Sequence, residues 1–467
     1  MHVLFLQPGY QQRVEHTSLI SVVPPLELAS CAALVRQRLP GTQVTIIDGN
    51  VLGLSETALV EQALALSPDV VVLHAATHTI KAAGRVAAGL QSLGPVVLLG
   101  SHGTALPTET LAEFSGISVI VCGEPEESLV AWLGVWREKA AWGEVAGLAW
   151  REREDTVQTP NRRLLEDLDS LPTPARDLLP NKLYSSPYAR RVTALRTTRG
   201  CPGKCTFCDS HLIYGCGTRT RAPESVVEEF AECNARWGTD YVAIIDHTFT
   251  AHQSFVAAVC DELIKRGLHR RMRWVCNTRV DMLEDELVAL MRKAGCLQVG
   301  LGIEAGDNRR LQEMRKGVTE TQLTAAIASL KRHGIIAMGY AIIGFPGDTE
   351  ETVATTRERL FHFDPHVLQL SFATPLPGSG LWHQANREDR LLSHDWDDYV
   401  FLKKSILRGD HLSTRRLQEL RDTILRDFYL RPGKLTSLAT FLALRARVSP
   451  LAASVAASKV LRNLLAN

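Results

Sequence analysis

The sequence predicts an α/β protein built from two consecutive parallel sheets. Short apolar runs alternate with segments of helical periodicity along most of its 467 residues. Strands that are apolar throughout are typical of parallel sheets covered by helices on both faces. The chain is longer than one ordinary hydrophobic core, and a proline-rich, acidic stretch at 167–177 separates two such series. We therefore expect two α/β domains joined by a linker.

The first series, residues 1–140, predicts a Rossmann-like, doubly wound sheet. Its predicted strands are the apolar runs 3–7, 44–48, 68–73, 95–99 and 117–121. The helical segments between them are 26–38, 56–66 and 80–93. Ligands of doubly wound sheets bind beyond the carboxyl ends of the strands. The candidate contacts at those ends are Pro8, Thr77, Ser101, His102, Gly123 and Glu124. A simpler interpretation of each glycine there is a tight turn.

A linker, residues 141–188, carries a predicted hairpin at 145–159 and leads to a second series at 189–380. The predicted strands of this series are 191–198, 241–246, 273–277, 297–304, 335–343 and 367–372. Its predicted helices are 223–236, 254–266, 284–294, 320–333 and 350–361. Six strand–helix units are fewer than the eight of a full barrel. We expect a partial (β/α)6 barrel with its open side against the first domain.

The remaining residues, 381–467, predict a helical C-terminal tail. The segment 412–430 is amphipathic, and 428–444 continues with apolar side chains. This region would cover the barrel mouth or contact a membrane surface, and packing is favoured because its polar face is not densely basic.

Three cysteines with C-x3-C-x2-C spacing, Cys201, Cys205 and Cys208, follow the first strand of the second series. Thiolates this close in sequence can ligate one soft metal centre. Three ligands suit a 4Fe–4S cluster that leaves one iron free of protein, whereas a closed zinc site needs four. Cys216 would complete a zinc site, and three unrelated buried cysteines are a further alternative.

The overall composition narrows the class of protein. Lys and Arg total 52 against 51 Asp and Glu, so no charge excess indicates a nucleic-acid or lipid partner. The sequence has no apolar run long enough for a transmembrane helix, and its first residues do not resemble a signal peptide. Ten cysteines with one tight cluster favour a metal site in a reducing compartment. We expect a cytoplasmic enzyme.

The segment Arg199-Gly-Cys201-Pro-Gly-Lys-Cys205-Thr-Phe-Cys208 resembles the cluster signature of the radical S-adenosylmethionine (SAM) superfamily. Four further matches follow in order, at 244–250, 278–281, 302–306 and 344–351. Upstream, the segments 100–109, 123–127 and 168–174 are similar to members with an N-terminal cobalamin-binding domain. The sequence is therefore identified as a radical SAM enzyme with such a domain, on a resemblance that covers about residues 1–400.

The resemblance implies cofactors and site residues. The three cysteines would hold three irons of a 4Fe–4S cluster, and the fourth iron would chelate SAM, whose reductive cleavage gives a 5′-deoxyadenosyl radical. The SAM contacts implied are Phe207 and Gly344 beside the adenine, Glu304 near the ribose, Asp246 near the methionine amino group and Arg279 near its carboxylate. The six strand-end residues of the first domain would contact cobalamin. An alternative is that this domain holds no cofactor and acts as a substrate lid.

Two departures from the pattern matter. His247 stands where many relatives have a second acid, so it would meet substrate or fill a polar gap. The motif D-x-H-x-x-G, whose histidine ligates cobalt in other cobalamin proteins, is absent, which argues against a histidine ligand and not against cobalamin itself.

The function expected from the resemblance is cobalamin-dependent methyl transfer to an unactivated carbon of a hydrophobic metabolite. The electron donor would be a flavodoxin or ferredoxin. The alternative within the superfamily is radical cyclisation or C–C bond formation without methyl transfer, as in the magnesium-protoporphyrin ester cyclase and hopanoid groups. An alternative of another class is a non-catalytic zinc-binding protein. Methylthio transfer to tRNA would need a second cysteine cluster and a basic RNA-binding domain, and neither is visible.

Overall fold

The computed structural model describes residues 1–9, 22–186 and 188–434. Within them the strands are β1 (His2–Gln7), β2 (Gln43–Asp48), β3 (Val70–His74), β4 (Val96–Leu99), β5 (Val119–Val121), β6 (Leu148–Glu152), β7 (Asp155–Gln158), β8 (Val192–Leu195), β9 (Thr198–Arg199), β10 (Arg219–Thr220), β11 (Tyr241–Ile244), β12 (Arg273–Thr278), β13 (Cys296–Glu304), β14 (Ile336–Ile343) and β15 (Val367–Phe372). The α-helices are α1 (Leu26–Arg38), α2 (Gly49–Leu52), α3 (Glu56–Leu66), α4 (Ile80–Gly89), α5 (Ser101–Ala105), α6 (Pro107–Glu113), α7 (Pro125–Val135), α8 (His211–Tyr214), α9 (Pro223–Trp237), α10 (Gln253–Lys265), α11 (Asp285–Lys293), α12 (Asn308–Glu313), α13 (Glu320–Arg332), α14 (Glu350–Phe363), α15 (Gly380–Arg387) and α16 (Thr414–Leu430). Among the described helices, none is long and apolar enough to cross a membrane.

The first sheet has the strand order β2-β1-β3-β4-β5-β6-β7. Its first five strands are parallel and confirm the predicted doubly wound sheet. The order of these five strands reverses between β1 and β3, which opens a crevice at their carboxyl ends. The hairpin β6–β7, predicted for the linker, pairs antiparallel with β5. The sheet therefore continues past residue 140, where the sequence-based division ended the first domain.

The second sheet has the order β8-β11-β12-β13-β14-β15, and all its neighbouring strands are parallel. These are the six strands predicted for a partial barrel, and the prediction is confirmed. Helices α9, α10, α11, α13 and α14 bury their apolar faces with the strands in one continuous core. Parallel strands place their carboxyl ends at one mouth of the barrel.

The linker covers the free edge of β8. The Val192 N–H donates to the carbonyl of Tyr184 at 3.3 Å, and the Arg176 guanidinium donates to the carbonyl of Ala194 at 2.6 Å. Arg176 is itself buried in an ion pair with Glu229 of α9. We expected the open side of the barrel to face the first domain. At the β8 edge, however, it is the linker that forms hydrogen bonds with the backbone groups of the strand.

The C-terminal region covers the other free edge, β15. The Tyr429 hydroxyl bonds both backbone groups of Leu368, and Arg421 donates to the carbonyl of Leu370 at 2.8 Å. Helix α16 confirms the amphipathic segment predicted at 412–430. This helix protects a sheet edge, whereas the sequence analysis expected the C-terminal region to cover the barrel mouth or contact a membrane surface. The predicted continuation at 435–444 lies outside the described residues.

One apolar cluster joins the two sheets. It contains Val3 and Trp132 of the first domain, Tyr184 of the linker, and Val192 and Tyr241 of the barrel. All five residues are at most 2% exposed. The two domains therefore share a hydrophobic core.

Candidate active site

The three predicted cluster cysteines lie in the loop 200–218, which we call the cysteine loop. The two-stranded ribbon of β9 and β10 closes this loop at the barrel mouth. At its base Gly200 has φ +89°, and a Cβ there would lie 1.8 Å from the carbonyl oxygen of Gly217. Only glycine fits this turn.

The exposure of the thiols separates this set from the other cysteines. Cys201, Cys205 and Cys208 are partly exposed, while Cys216 is exposed. The remaining cysteines are buried, namely Cys31, Cys122, Cys233, Cys260, Cys276 and Cys296. The alternative of three unrelated buried cysteines therefore does not describe the motif.

Polar groups surround the thiol sulfurs. The Cys201 Sγ lies 3.2 Å from the Thr248 hydroxyl and accepts from the Gly203 N–H at 3.4 Å. The Cys208 Sγ lies 3.2 Å from the Ser210 hydroxyl. Burial raises the pKa of Cys208 to about 11, against the opposing effect of the bond with Ser210. A metal centre would have to displace these thiol protons.

These residues fit an iron–sulfur cluster. A Cβ at Gly203 would lie 3.0 Å from Arg279 Nη1, 3.3 Å from Cys201 Sγ and 3.7 Å from Cys205 Sγ, so the glycine leaves space between two thiols and a guanidinium. Burial raises the pKa of the Cys205 thiol, while nearby Lys316 and Arg279 oppose the rise. Cationic and hydrogen-bonding neighbours stabilise the negative charge of thiolate-bound clusters. Among the described residues, no group of three or more His, Cys, Asp or Glu side chains lies close enough to hold a single metal ion.

Arg279 is fixed beside the cysteine loop. Its Nε and Nη2 donate to the two carboxylate oxygens of Asp281 at 3.0 Å each, and Nη2 also donates to the carbonyl of Lys316 at 2.7 Å. Burial alone would lower the pKa of Arg279, but Asp281 raises it. The Nη1 group therefore faces the loop from a rigid, permanently charged guanidinium.

Glu304 has a partner that the sequence analysis missed. Its carboxylate accepts from Lys316 Nζ at 2.7 Å, and both side chains are less than a tenth exposed. Glu304 has φ +61°, and Gly302 makes room, since a Cβ there would lie 2.2 Å from its carboxylate oxygen. A lysine before a glycine in a loop is a common pattern, so no local signal marks Lys316.

Asp246 accepts hydrogen bonds from Thr197, which lies just before the cysteine loop. One carboxylate oxygen accepts from the Thr197 N–H at 2.8 Å, and the other accepts from the Thr197 hydroxyl. Burial raises the pKa of Asp246, against these hydrogen bonds. Both oxygens are engaged within the protein, and the expected contact with the methionine amino group stays a prediction.

Phe207 packs against the residue that follows Gly344, and the expected contacts of both with the adenine stay predictions. The Phe207 ring packs edge-on against Phe345, with 6.1 Å between centroids. Gly344 has φ +87°, and Asp348 accepts from the N–H groups of Gly344 at 2.7 Å and Phe345 at 3.0 Å. The Asp348 carboxylate therefore fixes the turn that carries Gly344 and Phe345.

A polar cluster at the domain interface was not predicted. Arg196 pairs with Glu27 of α1 and lies 4.6 Å from the centroid of Tyr214. Burial would raise the pKa of Glu27, but Arg196 brings it down to about 2. The His247 ring lies 5.5 Å from Tyr214, and burial lowers its pKa to about 4. Among the described residues, neither Arg196 Nη1 nor His247 Nδ1 has a hydrogen-bond partner.

At the edge of the first sheet, His102 points into the protein. It is 1% exposed, lies 3.3 Å from the Thr77 hydroxyl and packs against Trp396 at 4.7 Å between ring centroids. Burial lowers the pKa of His102 to about 4. Thr77 and Trp396 enclose the ring, and the expected contact between His102 and cobalamin stays a prediction. Trp396 also donates to Glu113, so the C-terminal region docks on this domain.

Of the other candidates, some lie at the ends of the strands and some contact the cysteine loop. Pro8 is buried at the end of β1, and Gly123 has φ +81° with no atom within 4 Å of the position a Cβ would take, which leaves room for a bulky ligand. Ser101 begins α5, which packs against α8 of the cysteine loop, and its interaction with Asp209 opposes the rise in the pKa of Asp209 that burial causes. Glu124 pairs with Arg219 and faces the cysteine loop. The space beside Gly123 would admit a bulky cofactor such as cobalamin at this edge.

Comparison with known proteins matches two parts of the chain to two family models. The family model of the radical SAM superfamily matches residues 195–360, and that of the B12 binding domain matches residues 17–133. An uncharacterized methyltransferase of Pyrococcus horikoshii is 30% identical over 92% of this chain and 93% of its own. The anaerobic magnesium-protoporphyrin IX monomethyl ester cyclase of Rubrivivax gelatinosus is 31% identical over 92% of this chain and 78% of its own.

The fold also matches a solved structure. The cobalamin-dependent radical enzyme OxsB, with aqua-cobalamin bound, superposes with a TM-score of 0.75 at 15% identity, over 99% of this chain and 75% of that one. The cofactors of this family are a 4Fe–4S cluster, SAM and cobalamin. The chain is a member of the radical SAM enzymes that carry an N-terminal B12-binding domain.

Proposed function

We propose that the chain transfers a methyl group to an unactivated carbon of a hydrophobic metabolite, in a reaction that depends on cobalamin and SAM. The observation that carries this proposal is the contact between the two cofactor regions. Helix α5, which begins with Ser101 at the carboxyl edge of the first sheet, packs against α8 of the cysteine loop. A reaction that uses both cofactors requires these regions to face one another. The similarity to the Pyrococcus horikoshii methyltransferase, which extends over 92% of this chain and 93% of that protein, also supports methyl transfer.

When bound, the cluster would supply the electron that cleaves SAM, and cobalamin would supply the methyl-carrying chemistry. The chain's own residues would hold and orient these groups. Cys201, Cys205 and Cys208 would ligate three irons. Arg279 and Lys316 lie beside Cys205 and would offset the negative charge of the cluster.

The proposed SAM contacts follow from how each side chain is held. Phe207 and Gly344 would flank the adenine, since they meet around Phe345. Arg279 would bind the methionine carboxylate through Nη1, its nitrogen facing Gly203. Glu304 would face the ribose and Asp246 the methionine amino group. Because Asp246 already accepts two hydrogen bonds from Thr197, we propose that it acts mainly by fixing the strand before the cysteine loop.

The proposed cobalamin contacts are Pro8, Thr77, Ser101 and Gly123, on the open edge of the first sheet. Two other candidates would act indirectly. His102 is covered by Trp396, and Glu124 is engaged with Arg219.

The barrel lumen is the proposed substrate site. Alternate residues of β12 and β14 are partly or fully exposed while their neighbours are buried, which indicates an accessible interior. Asn277 and Tyr340 line this space, and the Tyr340 hydroxyl lies 3.3 Å from the Asn277 side-chain oxygen. Val275 and Ile342 add apolar surface. The buried, unpartnered nitrogens of Arg196 and His247 would meet a polar substituent at the mouth.

The proposal also covers the reductant, the class of substrate, the location and the domain division. The reductant would be a flavodoxin or ferredoxin, the substrate a small molecule and not a nucleic acid, and the location the cytoplasm. The domain division would be 1–140, a linker at 141–188, a barrel at 189–380 and a C-terminal region at 381–467, with the hairpin β6–β7 assigned to the first sheet by its pairing.

The second candidate function is radical cyclisation or C–C bond formation without methyl transfer. The similarity to a magnesium-protoporphyrin ester cyclase over 92% of this chain favours it. The two functions consume SAM differently. Methyl transfer converts one SAM to S-adenosylhomocysteine and another to 5′-deoxyadenosine, whereas cyclisation gives 5′-deoxyadenosine alone.

The test is anaerobic reconstitution with iron, sulfide and hydroxocobalamin, followed by desalting and incubation with SAM and a chemical reductant. Methyl transfer predicts retained cobalamin and S-adenosylhomocysteine that disappears when cobalamin is omitted. Production of 5′-deoxyadenosine without cobalamin-dependent S-adenosylhomocysteine would contradict methyl transfer and favour the second candidate.

A further inference from the structure

Two arginines stand directly opposite each other at the base of the cysteine loop. Arg199 of β9 pairs with Arg219 of β10 in an antiparallel ribbon only two residues long. Like charges at opposite positions destabilise a ribbon, and so short a ribbon has little stability of its own. Arg199 is two residues before the first cluster cysteine, so whatever stabilises this ribbon also fixes Cys201.

Two carboxylates of the first domain neutralise these arginines. Glu126 contacts Arg199 at 2.5 and 3.2 Å in a bidentate pair. Glu124 contacts Arg219 at 2.8 and 3.1 Å, and the same carboxylate lies 3.3 Å from Arg199. The side chains of Arg199, Glu124 and Glu126 are all less than a tenth exposed. Burial strengthens these charge-assisted bonds and makes the loss of either partner costly.

The carboxylates come from one short segment of the first domain. Glu124 is the residue before α7, and Glu126 lies in the first turn of that helix. The preceding residue, Gly123, is at the open edge of the first sheet. Four consecutive residues therefore connect the proposed cobalamin edge to the ribbon that carries the cluster cysteines.

We propose that Glu124 and Glu126 are positioning residues for the iron–sulfur cluster. The first domain, which supplies no cysteine to the cluster, neutralises the two facing arginines and so fixes the ribbon from which the cysteine loop projects. This role rests on the assignment of the cluster to the cysteine loop and is independent of whether the reaction is methyl transfer or cyclisation.

The test compares Glu126→Gln with Glu127→Gln after anaerobic reconstitution. Glu127 lies in the same helical turn, but its ion pair with Arg38 is long, at 3.6 Å, and partly exposed. The measurements are the rate of iron loss to a chelator and the electron paramagnetic resonance spectrum of the reduced cluster with and without SAM. Circular dichroism and hydroxocobalamin retention check the fold.

We expect Glu126→Gln to lose iron about tenfold faster than the parent and to show an altered cluster spectrum, because it loses a charge-assisted bidentate pair. Glu127→Gln should match the parent, and the conservative Glu126→Asp should restore most of the parent spectrum. Parent-like iron loss and spectrum in folded Glu126→Gln would overturn the proposal.

Where Glu126→Gln fails to fold, Arg219→Lys provides the second test. It keeps the charge but removes the bidentate contact with Glu124. Faster iron loss with a parent-like fold is expected. Iron loss and cluster spectrum unchanged from the parent in Arg219→Lys would overturn the proposal.

Discussion

At the scale of single residues, the site depends on contacts whose two members come from different elements. Glu304 and Asp246 could be predicted from motifs after two barrel strands. Their partners Lys316 and Thr197 could not, because they lie in other segments and their local sequence carries no distinguishing pattern. His102 shows the same limit, since Trp396, which covers it, follows almost three hundred residues later. Sequence patterns identify which polar residues lie near a strand end, and tertiary packing decides where they point.

Replacing Lys316 with methionine tests the buried pair with Glu304. The change leaves a carboxylate without its cation at a site less than a tenth exposed. We expect the free energy of unfolding to fall by about 3–5 kcal/mol. Urea unfolding of the apoprotein measures it, with Lys265→Met, which breaks a surface pair, as the control. Equal stability of the two variants would contradict the pair's role.

The pH dependence of stability tests the environment of His102. Burial lowers its pKa from an ordinary 6.5 to about 4, so the unfolded chain takes up a proton between these values while the folded chain does not. The free energy of unfolding should therefore decrease as pH falls through this window, by about 3 kcal/mol for this residue.

Thermal unfolding of the apoprotein between pH 7 and 4 checks this expectation. His102→Gln should reduce the pH dependence, whereas His394→Gln, which replaces an exposed histidine, should not. A parent-like slope in His102→Gln would place the ring in contact with solvent.

At the scale of elements, the strands of the two parallel sheets were predictable, whereas the short ribbon at the cysteine loop was not. The five parallel strands of the first sheet and the six of the barrel are rich in apolar residues, which is a local property. The ribbon of β9 and β10 has no such pattern around Arg219, because it forms only through pairing with Arg199. The hairpin β6–β7 was visible in sequence, but its attachment to β5 is a long-range pairing.

Substitution of Gly200 tests the closure of the cysteine loop. An alanine there combines a positive φ with a clash against the carbonyl of Gly217. Gly267→Ala is the matched control, with φ +70° and nothing within 4 Å. The control should cost about 1 kcal/mol from backbone strain alone.

Gly200→Ala should cost more than this control and should also fail to retain iron after reconstitution. Urea unfolding and iron analysis provide the two measurements. An iron content equal to that of Gly267→Ala would show that the loop tolerates a side chain at its base.

At the scale of the whole molecule, the two domains are structurally interdependent. They share an apolar cluster, the linker covers one barrel edge and the C-terminal region covers the other. The sequence predicted two domains and a connector, because composition marks the proline-rich stretch. It could not predict that the linker satisfies the backbone of β8, since this depends on the buried Arg176.

Calorimetry of the apoprotein tests this interdependence. We expect one unfolding transition whose calorimetric and van't Hoff enthalpies agree, because the shared core cannot be exposed in one domain alone. Two separate transitions would show that the domains fold independently.

The most direct test of the cluster assignment is the formation of 5′-deoxyadenosine by reconstituted, reduced protein given SAM. The parent should form it, and Cys205→Ala should not, because two cysteines cannot hold the cluster in place. Cys216→Ala, which removes the exposed cysteine of the same loop, should retain parent activity. Formation of 5′-deoxyadenosine by Cys205→Ala at the parent rate would contradict the assignment of the cluster to Cys201, Cys205 and Cys208.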